Sequence, residues 1–67
     1  MFYLKDVKSG KYIAITKRRG SPLTAELRDT NATATFWQTL DAAAFALGRL
    51  EELEIIGRMT ATIVKED

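Results

Sequence analysis

Carboxylates and cations carry most of the side-chain chemistry available to this chain, because it contains neither cysteine nor histidine. That composition leaves no thiolate nucleophile, no imidazole base, no disulfide and no Cys/His zinc site. The densest acidic group is Glu51, Glu52 and Glu54, with Asp41 up to three turns earlier. Paired carboxylates hold magnesium or act as acid and base, but only when they converge in a pocket. On a helix these glutamates diverge around the surface and read as a solvated end, so no catalytic residue, metal or cofactor is expected and the chain is read as non-enzymatic. Glu51 and Glu54 lie near the edge of an apolar stripe, where they are expected to meet cations of the N-terminal hairpin. Such surface pairs contribute about 0 to 1 kcal/mol each.

A second constellation is basic and aromatic. Lys5, Lys8, Lys11, Lys17, Arg18 and Arg19 interleave with Tyr3 and Tyr12. Cations beside aromatics on a sheet neutralise phosphates and stack bases, so Lys5, Lys11, Tyr12, Lys17, Arg18 and Arg19 form a candidate surface for single-stranded nucleic acid. The competing reading is that these cations keep edge strands and turns soluble. A formal net charge of only +1 favours that competitor, since nucleic-acid-binding domains are as a rule strongly basic.

The third constellation is Ala44, Phe45, Gly48 and Glu52. Small residues four apart let another backbone approach closely, and an aromatic beside them is a typical buried anchor of a protein interface. The bland reading is a lone exposed phenylalanine, or one covered by the strand that follows. The interface reading leads because so small a domain often needs association to bury enough surface.

The element that must position two of these groups is the stretch Thr39 to Leu53. Thr39 can cap the first turn with its hydroxyl, and Asp41 places negative charge near the positive end of the helix dipole. At about 100° per residue, Leu40, Ala43, Ala46, Leu47, Leu50 and Leu53 share one face, and Phe45 points roughly opposite its centre. The helix ends either with Gly57 as its C′ residue or earlier, with Ile55-Ile56 already extended.

The other segments read as strands. Phe2–Val7 and Lys11–Lys17 flank Lys8-Ser9-Gly10 as a β-hairpin, with Phe2, Leu4, Ile13 and Ile15 inward and Tyr3, Lys5 and Tyr12 outward. Leu23, Ala25 and Leu27 alternate with polar residues as a half-buried strand or, alternatively, a single helical turn. Thr33–Gln38 is a further strand, in which Phe36 and Trp37 point to opposite faces. Arg58–Lys65 is the last. The expected fold is α+β: a small antiparallel or mixed sheet of about four strands with one helix on one face, order β-β-(β)-β-α-β, as a single domain over residues 1–67.

Charge is divided along the chain. Residues 1–20 hold six cations and one acid, net +5, whereas residues 21–67 hold four cations and eight acids, net −4. Such opposition steers a charged partner or is satisfied within the fold. The N-terminus carries charge where a secretion signal needs an apolar core, and no apolar run approaches the ~20 residues that span a membrane. A cytoplasmic protein without a membrane partner is expected.

Ser9-Gly10-Lys11-Tyr12, then Thr33 to Phe36, then Thr39 with Ala42 and Ala43, give a pattern that resembles short uncharacterised proteins from bacteriophage and prophage genomes. The resemblance implies a phage-type origin and a hairpin-plus-helix fold, and supplies no catalytic residues. Together these readings lead to a protein-binding or self-associating factor, a homodimer through Phe45 or a sheet edge. A nucleic-acid-binding module is the alternative.

Overall fold

In a computed structural model, which describes residues 1–17, 19–56 and 60–66, the chain is assembled around its first strand. The elements are β1 (Phe2–Asp6), β2 (Tyr12–Thr16), β3 (Thr24–Arg28), a 3-10 turn (Asn31–Thr33), β4 (Phe36–Trp37), α1 (Leu40–Glu52) and β5 (Ala61–Lys65). The protein is α+β in the expected order, with five antiparallel strands and one helix among the described residues. β5 occupies one edge of β1 along its whole length, from Phe2↔Lys65 to Asp6↔Ala61. A strand has two edges, so β2 and β4 divide the other: β2 at Lys5↔Tyr12, β4 at Phe2↔Trp37 and Tyr3↔Phe36. Where β2 parts from β1, the Ile15 amide donates to Thr35 Oγ1 at 2.8 Å. β3 then pairs with β2 from Tyr12↔Arg28 to Thr16↔Thr24, which settles residues 24–28 as strand.

Sharing an edge also explains why β4 is shorter than the expected Thr33–Gln38. Only the Phe2–Tyr3 end of β1 is available to it, and Thr33 belongs to the 3-10 turn. Trp37 packs against the core while Phe36 lies on the opposite face, 48% exposed.

The β1–β2 loop is fixed by Asp6. Its carbonyl accepts the Gly10 amide at 2.8 Å, its amide donates to the Lys11 carbonyl at 2.8 Å, and its Oδ2 accepts the Ser9 hydroxyl at 2.7 Å. Gly10 has φ +71°, the left-handed region that favours glycine. The Ser9 hydroxyl bond, joined by backbone amides and opposed by burial, holds the Asp6 carboxyl below its ordinary value.

The helix begins as expected, with Thr39 Oγ1 accepting the Ala42 amide at 3.1 Å. It also stops at Leu53, as expected, but neither expected way of ending it occurs. The Ile55 amide donates to the Leu50 carbonyl at 3.0 Å and the Glu54 amide to the Glu51 carbonyl at 3.1 Å, the paired bonds of a Schellman motif. The C′ residue is therefore Glu54, at φ +59°, and Ile55 packs against the core instead of starting a strand. Hydrophobic closure through Ile55 on Leu50 wins over the usual preference for glycine at this position. Gly57, Arg58 and Met59, to which the alternative C-cap and the start of the last strand were assigned, lie outside the described residues.

The core sits between α1 and one sheet face. Leu4 and Ile13 are fully buried, with Leu50 and Ile56 packed on them and Leu47, Trp37, Ile55 and Ile63 around. On the other face Tyr3 points away from the helix as expected but is only 6% exposed, with Tyr12 and Phe36 beside it. No described helix is long and apolar enough to cross a membrane.

Candidate functional site

The helix rests chiefly on β1, β4 and β5, so beyond Ile13 the β2–β3 side of the same face is only partly covered. Between that side and α1 lies an apolar groove of about 480 Å³. Ile15, Leu23, Thr35 and Trp37 line it from the sheet and its connections; Phe45, Ala46, Arg49, Leu50 and Leu53 line it from the helix, with Ile55 after it. Helical geometry places these residues in order. Stepping round the axis at about 100° per residue, Leu50, Ala46, Leu53, Arg49 and Phe45 follow one another from the buried side to the open one.

Phe45 stands at the outer margin, 73% exposed, with Leu53 at 52% and Leu23 at 38%. Among the described residues Arg49 is the groove's one charged lining residue, and it is held by Glu52 at 3.5 Å, three residues further along the helix. Of the four residues singled out for an interface, only Phe45 borders the groove. Ala44 and Gly48 are exposed on the opposite flank of α1, and a Cβ built on Gly48 would meet nothing within 4 Å. Glu52 enters indirectly, through Arg49.

The basic and aromatic set is dispersed. Tyr12 is half-buried, in a T-shaped contact with Tyr3 with ring centroids 5.8 Å apart, and the Lys5 ammonium lies 4.9 Å above its ring. Its hydroxyl donates to the Glu66 carboxylate, which also accepts the Asn31 side-chain amide at 3.1 Å. That bond raises the Tyr12 phenol above its ordinary value, with burial acting in the same direction. It also lowers Glu66, helped by Asn31 and the Lys5 charge and opposed by burial. The Tyr12 ring is thus engaged within the chain by Tyr3, by the Lys5 ammonium over its face and through its hydroxyl. Lys11 pairs with Asp29 at 3.3 Å, at the hairpin end of the sheet. Lys17 and Arg19 are exposed at the other end, in the β2–β3 connection, and Arg18 lies outside the described residues.

Among the described residues the acid that pairs with a hairpin cation is therefore Asp29, and Glu66 binds the hairpin through the Tyr12 hydroxyl, where the helix glutamates were expected. Glu51 is exposed on α1 and Glu54 forms its C-terminal turn. Glu51 stands on the helix and Glu54 just past its end, whereas Asp29 follows β3 and Glu66 follows β5, strands already in register with the hairpin. Among the described residues no three acidic side chains gather to hold a metal.

Sequence reasoning missed the groove itself, having placed Ile15 and Leu53 on core-facing stripes and left open which of Phe36 and Trp37 points inward. The available signal was the breadth of the helical stripe, which continues through Ala46 and Leu53 toward Phe45. Fold and groove together define a small antiparallel α+β protein with an open apolar groove on the helical side of its sheet. Compared with protein-family models, with curated proteins and with solved structures, the chain finds no match.

Proposed function

We propose that this chain is a non-enzymatic docking factor, accessory or regulatory in role, that captures another polypeptide in the groove beside α1. One observation carries the reading: a largely exposed phenylalanine stands on the wall of an apolar groove that the fold leaves open. An aromatic at the rim of a concave apolar surface is the geometry of an interface anchor and its pocket. The groove volume lies within the range of about 300 to 1,000 Å³ that buries a few side chains or a small ligand.

Trp37 is the chain's single tryptophan and lines the groove, so it reports occupancy directly. Selection of random displayed peptides on sparsely immobilised protein should enrich sequences with an aromatic or aliphatic anchor. Enriched peptides should shift Trp37 emission and lose binding to Phe45→Glu. Equal retention by wild type and Phe45→Glu, or no enrichment, contradicts the reading.

A further inference from the structure

Resting on this docking reading, we infer that the occupant is a second copy of the chain. The two α1 helices pair antiparallel across a two-fold axis at Phe45, each ring entering the other's groove. Asp41, Phe45 and Arg49 follow at intervals of four, so they form one stripe along the helix, and all three are exposed. The stripe is acid, aromatic, base. Antiparallel pairing centred on Phe45 therefore sets Asp41 of each copy opposite Arg49 of the other, and charge and shape are satisfied by the same operation. A two-fold interface requires a surface complementary to itself, which a knob beside a groove provides. The contact of Arg49 with Glu52 lies in water and is readily exchanged for another carboxylate.

Surface area points the same way. A compact monomer of this mass exposes about 4,250 Å², whereas this chain exposes 4767 Å². The surplus of about 500 Å² is a large part of the roughly 800 Å² that each partner buries in a standard interface. The formal net charge of +1 opposes self-association only weakly.

The test is sedimentation equilibrium of the full chain with a charge cycle. Wild type should reach the mass of two chains as concentration rises, with a concentration-dependent shift of Trp37 emission. Asp41→Arg and Arg49→Asp, each checked for helical circular dichroism, should each associate at least tenfold more weakly. Mixed in equal amounts they should regain the two-chain mass, because both cross-pairs then become complementary. Wild type that keeps the mass of one chain up to millimolar concentration overturns the second-copy inference, and a mixture no heavier than its components overturns the antiparallel register. A one-chain wild type that still binds selected peptides at Trp37 would leave the docking reading standing while removing this one.

Discussion

On one flank of α1, Leu50 packs with Leu4, Ile13 and Ile56, and Ala43 is fully buried. On the other, Phe45, Arg49 and Leu53 border a groove whose far wall is Ile15, Leu23 and Trp37. Both flanks carry large apolar side chains. The difference lies in the width of what they face. A helix is about 10 Å across and covers about two strands spaced about 4.8 Å apart, whereas β3, β2, β1 and β5 lie four abreast. With α1 placed over β1, β4 and β5, Ile13 is still covered, but Ile15 and Leu23 on the β2–β3 side are left on the open groove. One flank of the helix makes the fold, and the other is available to something else.

The contrast can be broken from the folding side first. Leu4→Ala should lower the unfolding free energy by about 2 to 5 kcal/mol in urea titration, because a fully buried side chain leaves a cavity. A core of this size supplies only about 3 to 5 kcal/mol in all, so that variant should be largely unfolded. Thr39→Ala removes the side-chain cap at the start of α1 and should cost about 1 kcal/mol. Gly48→Ala acts in the opposite sense. Open space surrounds the added methyl, so thermal unfolding should show a gain of about 0.5 to 1 kcal/mol. A loss there would mean that the exposed flank is more constrained than its geometry indicates.

Acid should act on the sheet and leave the groove alone. The folded carboxyls of Asp6 and Glu66 both lie below their ordinary values of 3.8 and 4.5, so below those values the unfolded chain binds more protons than the folded one. Their stabilisation is complete above about pH 4.5 and declines as pH falls through the lower folded values. A fluorescence-monitored unfolding series from pH 6 to 3 should show this decline. Glu66→Gln should flatten the part that begins near pH 4.5.

Much of the fold was legible because each element carries its own punctuation. The Asp6–Gly10 loop, the Thr39 cap and the inward alternation of Leu4, Ile13 and Ile15 depend on neighbours within a few residues. The helix's limit at Leu53 was legible but its C-terminal cap was not, since Glu54 takes a left-handed conformation that sequence alone assigns to glycine, and the Ile55 amide closes on the Leu50 carbonyl. The division of one β1 edge between β2 and β4 was hidden for a similar reason: it depends on pairing between residues more than thirty apart. Phe45 was recognisable as a residue outside the helical stripe. The groove beside it was not, because Leu23 and Trp37 arrive there only through the sheet's topology.

Urea unfolding of Leu50→Ala and Phe45→Ser, measured side by side on dilute protein, tests the division between the two flanks most directly. Leu50→Ala should lose about 2 to 5 kcal/mol, and Phe45→Ser should stay within about 0.5 kcal/mol of wild type. Equal losses from the two substitutions would contradict it, since Phe45 would then belong to the monomer's own core.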